Sequence, residues 1–326
     1  MALLATLAAA VTPAQASGAR ITGIADENLA AWDPFATSLF EAIDVPQVRH
    51  IVPWDVALDP AGTAALQRWI ATARTHGKQV LISFGGVKGA PFPAPLDYRS
   101  AIDRFRAAFP DVTELTAWNE PNHALGGATL DPVLAAKYWN QLDAACRVPS
   151  ATGQTCTVAA GDFSDFDSLR SYVSAYRAAL SRTPDEWAVH AYHAINPDGT
   201  GSTSAGLAKL ADWVAGATDG RPVWITEVGA YYCTAGVPVA ADAATTQNAA
   251  ALDLDALMAS PAFGRVARVY YYYFAPPAGT GARCPHGAID PAVGEDDPGL
   301  IGAGDAPRPA LLTLFPSLAA NAIAGQ

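Results

Sequence analysis

The sequence predicts an α/β chain folded as a single (β/α)8 TIM barrel. Three observations predict it. Eight short apolar runs punctuate the chain, an amphipathic helical stretch follows nearly every one, and the spacing between runs leaves no gap wide enough for a second domain. An open doubly wound sheet is the alternative, but its Gly-rich first turn is missing: Gly23 is followed by Ile24-Ala25-Asp26.

The chain opens with an apolar stretch, Ala2 to Val11, and a small-x-small site, Ala14-Gln15-Ala16. Residues 1–16 therefore read as a signal peptide and 17–326 as the barrel, which makes the protein secreted and extracellular. No Lys or Arg precedes the run, as one would in a complete signal peptide, and an ordinary N-terminal helix is the competing reading. No later apolar run reaches the ~18 residues of a membrane helix, so no membrane association is expected.

The first strand is Arg20–Ile24. The second, Gln47–Pro53, carries Arg49 and runs into Trp54. Leu66, Trp69, Ile70 and Ala73 then form a helical stripe closed by Gly77. Gln79–Phe84 is the third strand and Glu114–Trp118 the fourth, ending in Asn119-Glu120. Pro132 after Asp131 marks a helix start, because Pro suits the first helical turn. Thr157–Gly161 is the fifth strand, and Ser168 caps a helix with the stripe Leu169, Tyr172, Val173 and Tyr176. Glu186–His190 leads to Tyr192 and His193. Leu207, Leu210, Ala211 and Val214 make the next stripe. Val223–Thr226 ends at Glu227, and Val266–Phe274 is the eighth strand. Most runs are continuous rather than alternating, as parallel strands covered on both faces should be. A long Gly/Pro/Asp-rich stretch, Pro276 to Pro307, follows and is expected to wall the cleft.

Composition limits the function. Half of the chain, 51%, is apolar, only 16% is charged, and the net charge is −11. That supports a folded core and disfavours nucleic acid as a partner. The four cysteines fit an oxidising compartment and pair along the chain as Cys146–Cys156 and Cys233–Cys284. His190 and His193 could suggest a metal, but the first strand lacks the His-x-His of metal-dependent barrels and no Cys/His pair has ligand spacing. No metal and no cofactor are expected.

Chemistry in such barrels sits at the C-terminal ends of the strands. Two of those ends carry a Glu, Glu120 on the fourth and Glu227 on the seventh. At ~39 residues per βα unit, three units match the interval from 120 to 227. One Glu at a strand end is ordinarily a helix cap or half of an ion pair. Two at equal height, three strands apart in an eight-strand ring, face each other across the mouth. That can bring the carboxyls to about 5 Å, the separation at which one attacks the anomeric carbon directly.

Trp118-Asn119-Glu120-Pro121 and Thr226-Glu227 resemble the strand-4 and strand-7 signatures of clan A glycoside hydrolases, the (β/α)8 group that includes families 5 and 39. The resemblance implies a retaining O-glycosidase acting as a monomer on an oligo- or polysaccharide, with Glu120 as acid/base and Glu227 as nucleophile. It implies that Asn119 meets the sugar 2-hydroxyl, that Arg49 keeps Glu227 ionised, and that Tyr192 or a neighbouring His donates to it. Glu120 would then rest protonated, since two close carboxyls cannot both ionise easily. His190, Tyr192, Trp54 and Tyr231 complete the expected substrate-binding set; Tyr273 and Phe274 lie at a strand end but fit core packing better. Asp55 and Asp162 suit helix caps as well as substrate. The third strand ends in Ser83-Phe84-Gly85-Gly86 where many family 5 enzymes carry His, and the last offers Tyr271-Tyr272-Tyr273-Phe274 where a Trp is usual. A carbohydrate-binding barrel without catalysis is the alternative function, though a mere binder has no need of an acid and a nucleophile at one subsite.

Overall fold

The computed structural model describes residues 20–25, 38–87, 89–124, 129–166, 168–196, 203–234, 237–238, 242–274, 299–301 and 306–316. Residues 1–16, read from the sequence as a signal peptide, most of the stretch after the last strand, and Cys284 lie outside them. In chain order the strands are β1 (Ile21–Ala25), β2 (Gln47–Pro53), β3 (Gln79–Gly85), β4 (Glu114–Thr116), β5 (Thr157–Phe163), β6 (Glu186–His190), β7 (Val223–Val228), β8 (Cys233–Thr234), β9 (Val237–Pro238) and β10 (Val266–Tyr272). β8 and β9 pair as a small antiparallel ribbon; the other eight are all parallel and close into a barrel in which β10 rejoins β1. Each of the eight strands expected from the sequence is a barrel strand.

The helices are α1 (Ser38–Ile43), α2 (Pro60–Thr75), α3 (Pro95–Ala108), α4 (Pro132–Cys146), α5 (Leu169–Ala178), α6 (Tyr192–Ile195), α7 (Thr203–Gly216), α8 (Ala243–Met258) and α9 (Pro309–Leu314). Their apolar stripes bury as their spacing requires. α2 buries Leu66, Trp69, Ile70 and Ala73, and α5 buries Leu169, Tyr172, Val173 and Tyr176. Asp131 caps α4 by accepting from Val133 and Leu134 amides, with Pro132 in the first turn. Ser168 stands at the expected cap of α5 but makes no capping bond there; instead its backbone carbonyl accepts from Ser171 Oγ.

The expected Cys146–Cys156 disulfide is not formed. Both residues are free thiols, Cys146 buried at the end of α4 and Cys156 half-buried just before β5. The Cys156 amide also bonds the Cys146 carbonyl at 3.1 Å, so the backbone contact that brings them together needs no covalent link. The Cys233–Cys284 pairing reaches outside the described residues.

The barrel interior is layered. At its N-terminal end Arg268 of β10 clasps both oxygens of Glu114, one at 2.7 Å, and its guanidinium lies 4.0 Å over the Trp224 ring. Above them Ala25, Leu81, Ala159, Ala188, Trp224 and Tyr270 fill the middle. Gly23 makes room for that layer, because a Cβ there would stand 2.6 Å from the Tyr270 ring. The outward residues of the same strands, such as Val48, Ile82 and Leu115, pack against the helices. The third layer, at the C-terminal end, is polar.

Glu186 at the start of β6 buries Oε2 without a hydrogen-bond partner. Burial pushes its carboxyl up to about 7, with Arg268 pulling it down and Asp185 adding to the rise. An acid whose folded pKa exceeds its unfolded value loses stability as pH rises between the two. Glu186→Gln should therefore raise the melting temperature at pH 8 by more than it does at pH 5, read by calorimetry; equal shifts at both values would contradict the assignment.

Candidate active site

The polar layer is built from residues that strict strand alternation would not all turn inward. Thr226 and Glu227 are neighbours, so a regular β7 would send one of them outside. The β6–β7 register slips between Val189 and His190, and the β7–β10 register slips between Val269 and Tyr271. These bulges let both side chains face the axis. β5 does the same: its register with β6 shifts between Gly161 and Phe163, and Asp162 adopts φ 69°. Gly161 sits at φ 110°, where a Cβ would lie 2.4 Å from the Phe163 ring. Only glycine fits, and its turn delivers Asp162 to the interior.

Arg49 lies at the centre, 1% exposed, and all three of its guanidinium nitrogens donate. Nη1 donates to Glu227 Oε1 at 2.7 Å, Nη2 to Asp162 Oδ2 at 2.8 Å and to Asn119 Oδ1 at 2.8 Å, and Nε to Ser83 Oγ at 2.9 Å. Burial opposes this charge, but Asp162 and Glu227 more than offset it and the arginine is held firmly protonated. The other oxygen of Glu227 accepts from the Tyr192 hydroxyl at 2.8 Å. Burial, followed by the Glu227 charge, raises the Tyr192 phenol well above its ordinary value, so it remains a donor. Asn119 gives its carbonyl oxygen to Arg49, which leaves its NH2 as the group it can offer a ligand.

Glu120 ends the fourth strand segment at φ 46°, its amide bonded to the Asp162 carbonyl at 2.9 Å. Its Oε1 accepts from Ser164 Oγ and meets His190 Nδ1 at 2.9 Å; its Oε2 meets His123 Nδ1 at 3.0 Å. Asn122 locks this arrangement: its NH2 donates to the Ser164 carbonyl at 2.7 Å and its oxygen accepts from the Ser164 amide at 2.8 Å. Burial raises the Glu120 pKa, but the hydrogen bonds from His123 and His190, the His190 charge and the Ser164 hydroxyl outweigh it, and the carboxyl falls well below the usual range. The expectation that Glu120 rests protonated is thus corrected. The physical reason is that the residue is surrounded by donors rather than facing only a second carboxylate.

His190 joins the two halves. Its Nδ1 faces Glu120, while Nε2 lies 3.4 Å from Glu227 Oε1 and 3.6 Å from Asp162 Oδ1. Burial disfavours its charge, but Glu227, Asp162 and Glu120 push its pKa up to about 10. Asp162 also accepts from Ser83 at 2.8 Å, from Thr116 at 2.6 Å and from Thr226, and the Arg49 and His190 charges keep it ionised against its burial.

Around this centre Tyr231 stacks on Tyr192 with ring centroids 5.8 Å apart, and Tyr272 meets Tyr192 edge-on at 6.1 Å. His123 and His193 flank Phe166, with centroids 4.6 Å and 4.5 Å from it, and His193 bonds Asp165. Trp54 is partly buried against Tyr98 of α3, with ring centroids 6.4 Å apart. Phe274 packs on Phe40 and Tyr273 is buried. So Arg49, Asn119, Glu120, His190, Tyr192 and Glu227 converge and Tyr231 borders them, while Trp54 packs beside Tyr98 just after β2. Sequence reasoning did not single out His123, Ser164, Ser83, Thr116, Thr226 or Tyr272, and weighed Asp162 as a helix cap as readily as a site residue. The one available signal was charge balance: a buried Arg, two Glu and a His need further partners, and strand-end hydroxyls and Asp162 were within reach.

The comparisons agree with this architecture. A family model described as glycosyl hydrolase catalytic core matches residues 95–281, more than half of the chain and a span that holds both Glu120 and Glu227. No curated protein matches the sequence. Among solved structures, the chain is similar to a GH5-4 broad specificity endoglucanase from Clostridium acetobutylicum, at 12% identity and TM-score 0.59, covering 91% of this chain and 94% of that one. It is similar to a GH5 xyloglucanase from Bacteroides ovatus, in complex with a XXXG heptasaccharide, at 11% identity and TM-score 0.58, covering 92% and 75%. A third likeness is a GH128 endo-β-1,3-glucanase from Amycolatopsis mediterranei in complex with laminaripentaose, at 17% identity and TM-score 0.53, covering 91% and 99%. At these identities the likeness is one of fold. Through its family match, the chain belongs to the glycosyl hydrolase catalytic core family, and its (β/α)8 barrel is the fold it shares with these solved structures.

Proposed function

We propose that the protein is a retaining glycoside hydrolase that cleaves β-linked glucan chains by double displacement, with Glu227 as nucleophile and Glu120 as acid/base. The observation that carries this reading is the single His190 ring touching Glu120 with one nitrogen and Glu227 with the other. Two carboxyl groups that meet one imidazole at the C-terminal end of the barrel are placed to share one anomeric carbon for attack and protonation.

The unlike surroundings of the two carboxylates support their division of labour. Glu227 has both oxygens held by donors that stay protonated, Arg49 and Tyr192, which suits a nucleophile that must remain anionic until it bonds to carbon. Glu120 is held by two imidazoles and a hydroxyl, groups through which a proton can come and go. Three carboxylates against Arg49 and His190 leave the site net negative, which favours the positive charge of an oxocarbenium-like transition state. On the acid side, where the leaving sugar departs, His123, Phe166 and His193 border the acceptor position; Tyr192, Tyr231 and Tyr272 border the sugar that is attacked. The substrate class rests on the neighbours, an endoglucanase, a xyloglucanase and an endo-β-1,3-glucanase. We also propose export through residues 1–16, which amino-terminal sequencing of the mature protein would check as a start at Ser17.

Incubation with laminaripentaose, cellotriose and a xyloglucan heptasaccharide, followed by proton NMR, should show a first-formed sugar of retained configuration; an inverted product would refute double displacement. A 2-fluoroglycoside should label Glu227 covalently, and a protein left unlabelled would favour the binding-only barrel. Glu227→Ala should abolish turnover, with azide restoring it as a glycosyl azide of inverted configuration. Glu120→Gln should lose at least about a hundredfold on natural glycans, in keeping with general acid catalysis worth ~10²–10⁴, yet far less on dinitrophenyl glycosides, whose leaving group needs no proton. Arg49→Lys, which keeps the charge but loses the fork, should cost about a hundredfold in kcat/KM.

A further inference from the structure

Asp162 is the one charged member of the centre to which double displacement assigns no task. It is wholly buried, in a left-handed backbone conformation that a non-glycine residue adopts only where its surroundings insist. Its carboxylate receives Arg49, Ser83, Thr116 and Thr226 and faces His190, so five other strands converge on it from around the ring.

An anchor of this kind could be neutral. A carboxylate does two further things. It shares the single Arg49 charge with Glu227, since Nη1 serves Glu227 at 2.7 Å and Nη2 serves Asp162 at 2.8 Å. It also completes a ring of acids about His190: Glu120 from β4's end, Asp162 from β5 and Glu227 from β7, with Arg49 from β2 at 3.5 Å as the opposing cation and Tyr192 of α6 edge-on at 6.2 Å. Nδ1 lies within hydrogen-bond distance of Glu120, while Nε2 lies 3.4 Å and 3.6 Å from the Glu227 and Asp162 oxygens and 3.5 Å from Arg49 Nη2. A proton on Nε2 serves the two carboxylates, a bare Nε2 would accept from Arg49, and the Asp162 charge tips that balance toward the proton.

We propose that Asp162 is a positioning residue that keeps His190 an imidazolium, so that the proton needed by the leaving group is stored in the His190–Glu120 hydrogen bond. The proposal rests on the acid/base reading of Glu120. In the first half-reaction the Nδ1–H bond of His190 breaks and Glu120 receives the proton. Glu120 passes it to the glycosidic oxygen, whose bond to the anomeric carbon breaks as Glu227 bonds to that carbon. The leaving sugar departs as an alcohol and His190 is left neutral. In the second half a water forms the new bond to carbon, Glu227 leaves as a carboxylate, and the water's proton returns through Glu120 to His190. The low Glu120 pKa and the raised His190 pKa agree with a resting pair that keeps its proton on the ring. The pair then titrates as one unit, and the form with one proton is the active one.

The test is Asp162→Asn, which keeps the shape and removes one negative charge. Because less negative charge lowers the upper pKa of the pair, the basic limb of the pH–rate profile on laminaripentaose should move down by about one pH unit. With it kcat should fall about tenfold or more, while KM changes less than threefold. Ser83→Ala and Thr116→Val, which take hydroxyls from Asp162 without changing charge, should lower the melting temperature and leave that limb in place. The decisive measurement needs no substrate. Imidazole ¹⁵N NMR of the wild-type protein, with His190 assigned by loss of its signals in His190→Gln, should show both ring nitrogens protonated at pH 7.5. A neutral ring in the wild type, or an Asp162→Asn variant whose only change is a lower melting temperature, would overturn the proposal. Failure of the 2-fluoroglycoside to label Glu227 would instead strike at the hydrolase reading, leaving the NMR result to judge Asp162 alone.

Discussion

The structure depends on one buried guanidinium. Arg49 draws Glu227, Asp162, Asn119 and Ser83 onto its nitrogens, which links strands β2, β3, β5 and β7 and the loop after β4. Removing so many polar groups from water is costly, and the cost is offset because Arg49 has four oxygen acceptors and each carboxylate several donors. That mutual dependence fixes geometry. No member can swing away without leaving another charge unpaired, so the carboxyl groups are held in register before any ligand arrives.

The backbone is shaped to serve that cluster. Period-two strands offer the axis one residue in two, and a barrel that obeyed this everywhere could not present Thr226 with Glu227, or Asp162 after Ala159. The slips of register in β5, β6 and β7, and the left-handed turns at Asp162 and Glu120, supply the missing inward positions. Local departures from ideal strand geometry therefore concentrate where the chemistry is, while β2 pairs with β3 over seven residues without interruption.

Much of this was legible in the residues. Continuous apolar runs set the strands, helical stripes set the outer ring, and two Glu three strands apart marked the mouth. The meeting of Arg49 and Tyr192 on Glu227 was implied by family resemblance and is present. What escaped is what depends on long-range contact. A bulge leaves little trace in a single sequence, so Asp162 suited a helix cap as well as a site residue. The thiols of Cys146 and Cys156 were placed side by side correctly, yet adjacency does not fix oxidation state. The protonation of Glu120 was misjudged because His123 and Ser164 reach it through the Asn122–Ser164 lock between two loops, a contact with no local signature.

The layering of the interior carries a consequence for how the protein can change. Between the catalytic-end charges and the Arg268–Glu114 clasp lies an uncharged plug of Ala25, Leu81, Ala159, Ala188, Trp224 and Tyr270. It insulates one ionic assembly from the other, so substitutions at the two ends share few partners and their energies should combine additively. The lower clasp can secure the ring of strands while the upper rim is free to diversify, and a barrel of this kind can acquire new sugar preferences at its mouth without renegotiating its own stability.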